Sequence, residues 1–330
     1  MKDILIGTRT SKLAMVQTQS VIAQLRQRWP NLEIAIEPMH TTGDRVIDKP
    51  LAQIGGDGVF IAEIERALLE RRIDLAVHSL KDLPTMQPEG LHLIVTGPRE
   101  DVRDVLLSRI PCSLTPQGLR FADADASLPV RIGTCSLRRS AQLRAFCPQA
   151  EILPIRGNVD TRLRKLDAGE FDAIVLAAAG LHRLELPERL AGRLTYFPVA
   201  MFLPAPGQGA LAIEMRDEPL FWELLSPLND AITQAATCAE RAFMRTLGAG
   251  CYLPVAAYGE VNEAMLTISG LVISLDGQQQ VRVRQTRPWT QQSSDEQAEE
   301  LGSALAEQAL ARGADEIIQS VRAAQERRYV

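Results

Sequence analysis

Apolar and polar positions follow two alternating periods through the first two-thirds of the chain. Residues 4–7 form an unbroken apolar run that reads as a buried strand. Ser11 or Thr10 can cap a helix reaching about Arg28, in which Met15, Ile22, Leu25 and Trp29 share one face. Residues 32–39 read as the next strand. A glycine-rich loop through Gly55-Gly56-Asp57-Gly58 follows, then a helix to about Arg71 and a strand at Ile73-Asp74-Leu75-Ala76-Val77. Such alternation implies parallel sheets flanked by helices.

The pattern also echoes itself. Ile6-Gly7-Thr8 ends a strand and precedes a helix, and so does Ile132-Gly133-Thr134. Ile73-Asp74-Leu75-Ala76-Val77 resembles Phe171-Asp172-Ala173-Ile174-Val175. Two related α/β units are expected. Pro98-Arg99-Glu100-Asp101 and the Pro/Gly-rich stretch 197–209 look like two crossings between them, and two crossings make a hinged cleft with ligands at the carboxyl ends of both sheets. From about Pro227 the pattern changes: a helix over 231–247, strands at 255–259, 265–273 and 280–284, and a helix ending the chain. The expected division is residues 1–98 with 207–226, residues 99–206, and a smaller α+β unit over 227–330.

Composition narrows the class. With 330 residues, 46% hydrophobic and 23% charged, the chain has the balance of a globular protein of two or three domains. It has no apolar run near the ~20 residues of a membrane span, and its start lacks a signal-peptide layout, so a cytoplasmic enzyme is expected. A net charge of −5 argues against a nucleic-acid binder. The 5 cysteines show no CxxC spacing and the 4 histidines are scattered, so neither a disulfide frame nor a metal site is indicated. Cys112, Cys147 and Cys238 read as ordinary buried thiols.

Of 36 basic residues only 5 are lysine, leaving 31 arginines, many beside Gly, Ser or Asp at strand ends. A planar guanidinium can grip a carboxylate with two bonds, as lysine cannot. Several such forks in one cleft suit a ligand with many carboxylates. A genome that favours arginine explains the ratio, but not this placement. Gly133-Thr134-Cys135-Ser136 opens a helix toward an anion, and Arg138 and Arg139 in its first turn oppose the helix dipole, a cost that an anion nearby would offset and that solvent exposure would also reduce. Arg156-Gly157-Asn158 repeats the design. Asp82, in His78-Ser79-Leu80-Lys81-Asp82-Leu83-Pro84 after an apolar strand, is a candidate for holding N–H groups or moving protons; read from that segment alone, a turn-forming or ion-paired aspartate beside Lys81 is the better account. Cys251 follows Gly248-Ala249-Gly250, where backbone can approach a ligand closely, and a thiol facing arginines would be more nucleophilic.

Together these motifs resemble those of the porphobilinogen deaminase (hydroxymethylbilane synthase) family over nearly the whole chain. They are Arg9-Thr10-Ser11-Lys12-Leu13-Ala14, His78 to Pro84, Gly133 to Arg139, Arg156-Gly157-Asn158-Val159-Asp160-Thr161-Arg162, Pro206-Gly207-Gln208-Gly209-Ala210 and Gly250-Cys251. The resemblance implies two α/β domains like those of hinged periplasmic binding proteins, plus the smaller third domain. It implies a dipyrromethane cofactor on Cys251 through a thioether. On this primer four porphobilinogen units are joined head to tail, each losing ammonia, and hydrolysis releases hydroxymethylbilane for tetrapyrrole biosynthesis. Asp82 is then the catalytic group. Ser79, Lys81, Asp82, Thr134, Ser136, Arg138, Arg139 and Arg162 match cofactor contacts, while Arg9, Ser11, Phe60, Arg156 and Arg183 match substrate contacts. No metal, nucleic acid or membrane is implied, and a monomer is expected.

One departure stands out. Where the family often has lysines, residues 53–65 carry Gln53, Asp57 and Ala62, so no lysine-dependent lid carries over. Cys135 stands where serine is common. The competing reading is a non-catalytic hinged binder of a multi-carboxylate ligand, which needs neither Cys251 nor Asp82.

Overall fold

The computed structural model describes residues 3–39, 61–115, 118–122, 129–250 and 252–327. Strands β1 (Ile4–Arg9), β2 (Ile34–Met39), β3 (Leu75–Ser79), β4 (Leu91–Thr96) and β12 (Leu211–Arg216) form one sheet in the order β2-β1-β3-β12-β4. β1 runs parallel to β2 and β3, whereas β12 is antiparallel to β3 and β4. Both faces are covered, as the unbroken apolar strands demand. Ile6, Leu75 and Val77 pack with Val21 and Leu25 of helix α1 (Lys12–Arg28). On the opposite face Ala76 and Ile73 meet Ile64 and Leu68 of α2 (Ala62–Leu69).

The second sheet, β11-β5-β10-β8-β9, repeats the same plan. Its strands are β5 (Asp104–Ser108), β8 (Arg131–Gly133), β9 (Glu151–Leu153), β10 (Ala173–Ala177) and β11 (Leu194–Tyr196). β8 takes the place of β1, β9 that of β2 and β10 that of β3, and again the fourth strand is antiparallel. That fourth strand arrives from the other sheet in each case: β5 directly after residues 97–103, β12 after residues 197–210. The helices here are α3 (Leu137–Phe146), α4 (Val159–Asp167) and the short α5 (Ala178–Arg183); the hairpin β6 (Cys112–Thr115) and β7 (Gly118–Phe121) follows β5, and α6 (Pro219–Leu225) follows β12.

The sequence echo has a physical basis. Gly7 pairs with Ala76 and Gly133 with Ile174, at matching places in the two registers. A methyl group at Gly7 would strike Ile73, and one at Gly133 would strike Phe171. One residue further on, Asp74 accepts the Leu5 backbone N–H at 3.0 Å and Asp172 accepts that of Arg131 at 2.9 Å. Each aspartate thus satisfies the donor at the mouth of its sheet, so the regular strands begin at Leu75 and Ala173 rather than at the preceding apolar residue.

The third unit is a three-stranded antiparallel sheet, β13 (Val255–Asn262), β14 (Met265–Ile273) and β15 (Gln280–Pro288). Helices α7 (Ala231–Thr246), α8 (Asp295–Leu310) and α9 (Ala314–Glu326) pack on it around Phe243, Ile268 and Leu305. Two details differ from expectation. The single terminal helix is two, broken at Gly313, whose φ of +92° is costly for any residue with a side chain. The buried face of α1 includes Thr18 and Val21, while Met15 is only half-buried, because Thr18 donates to Thr8 Oγ1 at 2.7 Å beneath the sheet end. The chain is α/β as expected, with two α/β sheets of one topology and a smaller α+β unit.

Candidate active site

The predicted residues stand at the carboxyl ends of parallel strands. Arg9 ends β1, Ser79 ends β3, and Lys81 and Asp82 lie in the 3₁₀ turn Leu80–Asp82 immediately after it. In the second sheet Thr134 follows β8, Arg156 lies beyond β9, and Arg183 ends the helix after β10. Ser11 and Ser136 cap α1 and α3, accepting from Ala14 N at 3.3 Å and Arg139 N at 3.4 Å. Thr134 Oγ1 accepts from Ser136 N at 3.2 Å, which ties the turn together. Ser79 Oγ accepts from Gln17 at 2.8 Å.

Arg138 and Arg139 do have an anion beside them, and it is the protein's own Asp104. This carboxylate, fully buried at the head of β5, accepts from Arg138 at 2.6 Å and from Arg139 at 2.6 and 2.9 Å. Arg138 also donates to Leu203 O at 2.7 Å, and Arg139 to Val175 O at 3.1 Å. Burial alone would raise the Asp104 pKa, but the two guanidinium charges and their hydrogen bonds hold it well below the carboxylate range. Burial lowers Arg138, with Asp104 opposing. Two buried cations on one buried anion leave the cluster net positive.

Gln208, itself fully buried, carries this cluster across to the first unit. Its amide donates to Asp104 at 3.1 Å and to Val102 O at 2.7 Å, and its Oε1 accepts from Lys81 at 3.3 Å. Burial pushes the Lys81 ammonium down to about 8; Arg139 and Arg138 push the same way, while Asp82 and Asp104 oppose them.

Asp82 is exposed and makes no hydrogen bond or ion pair among the described residues. The ion-paired reading of this aspartate therefore lacks its partner, although its charge is felt by both Lys81 and Arg162. Arg162, half-buried on α4, has its pKa lowered by burial and by Arg139; its Nε donates to Gly157 O at 2.8 Å. Arg183 is likewise lowered by burial and donates to Gly209 O at 2.7 Å. Neither has a carboxylate within ion-pair distance among the described residues. The structure thus brings Lys81, Asp82, Arg138, Arg139 and Arg162 into one electrostatic cluster. Arg9, Ser11, Ser79, Thr134, Ser136, Arg156 and Arg183 occupy the surrounding strand ends. Phe60, Cys251, and the loop with Gln53 and Asp57 lie outside the described residues; Ala62 begins α2.

Sequence reasoning missed Asp104, Gln208 and Glu240. Glu240, fully buried on α7, accepts both Arg99 guanidinium nitrogens at 2.7 and 3.0 Å, the Gly207 N–H at 2.6 Å and the Gly259 N–H at 2.7 Å. It therefore ties both crossings to the third unit. A signal existed for Asp104, an acid heading the apolar run Val105-Leu106-Leu107, but nothing local names its partners. Cys147 is buried as expected, Cys112 and Cys238 are half-buried, and Cys135 is exposed with its thiol against Ile155 O at 3.1 Å.

Comparison with known proteins bears on the whole chain. One family model, described as "Porphobilinogen deaminase, dipyromethane cofactor binding domain", matches residues 4–221; a second, "Porphobilinogen deaminase, C-terminal domain", matches residues 235–311. Relatives named porphobilinogen deaminase include that of Syntrophotalea carbinolica, 48% identical across 95% of this chain and 94% of the relative. That of Desulforudis audaxviator is 46% identical across 98% and 99%, and that of Syntrophobacter fumaroxidans 44% across 96% and 97%. Solved structures with slight likeness include the effector binding domain of a BenM variant (17% identity, TM-score 0.41, 69% of this chain and 93% of that one). The Bordetella pertussis BvgS VFT2 domain is another (16%, TM-score 0.39, 68% and 84%). Likeness this slight adds nothing to the reading of the site. Both family models and the near full-length relatives agree: the chain belongs to the porphobilinogen deaminase family.

Proposed function

We propose that the chain is a hydroxymethylbilane synthase, a transferase that joins four porphobilinogen units head to tail with loss of ammonia and then releases the linear product by hydrolysis. The observation that carries this reading is the exposed carboxylate of Asp82 beside Lys81 and Arg162, next to the buried cluster of Arg138, Arg139 and Asp104. The reading as a non-catalytic binder is not favoured, since a binder of carboxylates gains nothing from an acid among its cations.

The residues present fit a dipyrromethane group. Arg162 and Arg183 are half-buried cations with no carboxylate within ion-pair distance among the described residues, and the buried Arg138–Arg139–Asp104 cluster keeps a net positive charge. Acetates and propionates supply the missing charge. When bound through Cys251, the group supplies a pyrrole ring with a free α-carbon to which the next unit is joined. Lys81, Arg138, Arg139 and Arg162 would hold its carboxylates, with Ser79, Thr134 and Ser136 donating hydroxyls. Arg9, Ser11, Phe60, Arg156 and Arg183 would hold the incoming unit or the lengthening chain.

Asp82 does the chemistry. Departure of ammonia leaves positive charge on a pyrrole nitrogen, and a carboxylate facing that N–H stabilises it. After the carbon–carbon bond forms, the same carboxylate can take the surplus ring proton. The three-part division made from sequence, with Cys251 assigned to residues 227–330, remains our proposal, supported by the strand membership of the three sheets. No helix among the described residues is long and apolar enough to cross a membrane; a cytoplasmic monomer is proposed.

Intact mass tests the reading. Protein expressed where porphobilinogen is present should exceed its sequence mass by two linked pyrrole units, Cys251→Ser should remove the excess, and the loaded protein should consume porphobilinogen with release of ammonia. Wild type at the bare sequence mass would contradict it.

A further inference from the structure

The Asp82 side chain has no hydrogen bond among the described residues, so there the backbone aims its carboxylate. That backbone is stiff on one side. Leu83 is extended (φ −83°, ψ 141°), as a residue before proline prefers, and Pro84 has a fixed φ. What holds Pro84 in turn is its carbonyl, which accepts from Arg241 at 2.7 Å and from Gln87 at 3.1 Å. Arg241 also donates to Gln87 Oε1 at 3.2 Å, closing a three-way knot.

Arg241 does not come from the sheet that carries Asp82. It lies on α7, one residue after Glu240, and α7 leads through Gly248-Ala249-Gly250 to Cys251. Among the described residues it has no carboxylate within ion-pair distance, and burial pushes its guanidinium down to about 10. Enclosing a cation without a counter-ion is costly, and here its donors go to one loop. A cavity of about 370 Å³ lies between that loop and the end of α7 with the residues after it, lined by Leu83, Pro84, Met86, Met244, Gly248 and Gly250.

We propose that Arg241 is a positioning residue: by holding the Pro84 carbonyl it fixes the direction of Asp82 relative to the unit that bears Cys251. This rests on the catalytic role given to Asp82 above. A displaced acid/base group slows the chemical step without weakening substrate binding, since a shift of about 1 Å can cost about 10²-fold.

A double-mutant cycle on the cofactor-loaded enzyme tests it. Arg241→Met should load cofactor, lower kcat about 10- to 100-fold and leave KM within about twofold. In an Asp82→Asn background, read by single-turnover mass spectrometry, the added loss should shrink to within about twofold. Gln87→Ala, which removes the second donor, should show a smaller loss with the same dependence on Asp82. If Arg241→Met does not fold, Arg241→Lys takes its place, with a smaller loss that also vanishes in Asp82→Asn. Equal loss in both backgrounds, a rise in KM at unchanged kcat, or absent cofactor would overturn the positioning role. Near-normal turnover of Asp82→Asn alone would instead overturn the role of Asp82.

Discussion

The two five-stranded sheets share strand order, a glycine at the matching register position of the first strand, the aspartate before the third and the capping serine, yet their edges hold different chemistry. After the first cap the helix reads Lys12-Leu13-Ala14; after the second it reads Leu137-Arg138-Arg139. Leu13 therefore occupies the place of Arg138, and it packs against the core of the opposite unit rather than holding a charge. The third strands diverge as well. β3 runs into the turn of Lys81 and Asp82, whereas β10 runs into the small-residue helix Ala178–Arg183. One frame thus carries an acid on one side and buried guanidinium on the other. On the proposed reading the function lies in a few residues after strand ends, not in the sheets themselves.

The largest effect is expected where the two edges differ. Asp104→Asn leaves two buried guanidinium groups without their anion, so unfolding in urea should show a loss of about 3–5 kcal/mol and intact mass should show cofactor missing. A loss under about 1 kcal/mol would mean that the arginines do not depend on Asp104. The pairing also has a pH signature. Because the folded carboxyl is held below its ordinary value of about 3.9, its contribution is present above that pH and is lost as acid protonates it, so wild type should weaken more steeply below pH ~4 than Asp104→Asn does.

Where the edges are alike, matched changes should cost alike. Gly7→Ala and Gly133→Ala each force a methyl into the apolar residue two places before the third strand, Ile73 or Phe171, and each should cost about 1–3 kcal/mol by urea unfolding. A penalty at only one site would break the equivalence. Smaller still, Ser11→Ala and Ser136→Ala should each lose about 1 kcal/mol of stability as helix caps. Their functional effects should separate: Ser136→Ala should reduce cofactor loading, and Ser11→Ala should keep the cofactor while raising KM for porphobilinogen. Identical kinetics for both variants would deny the two edges distinct roles.

Much of this was legible in the sequence because it is local. The strand-to-glycine turns, the caps and the repeated Asp-bearing strand are short-range patterns, and each returned as a structural device. The partners were not legible. Arg138 and Asp104 lie 34 residues apart, Lys81 and Gln208 lie 127 apart, and Arg241 reaches Pro84 over 157. Which carboxylate meets which cation is decided by how the sheets pack. The anion inferred beside Arg138 and Arg139 was correct in sign and unspecified in source. The terminal helix was misread as one because Ala and polar residues run on through the break, which only the left-handed Gly313 marks.

The central claim is that Asp82 performs the condensation while the opposite edge only holds carboxylates. Turnover of porphobilinogen by cofactor-loaded Asp82→Asn tests it most directly, since the substitution keeps the shape and removes the charge of an exposed side chain that makes no hydrogen bond among the described residues. The variant should melt with wild type, carry the two-pyrrole mass and turn over at least about 10²-fold more slowly. A loaded, folded Asp82→Asn enzyme within a few-fold of wild type would contradict the account.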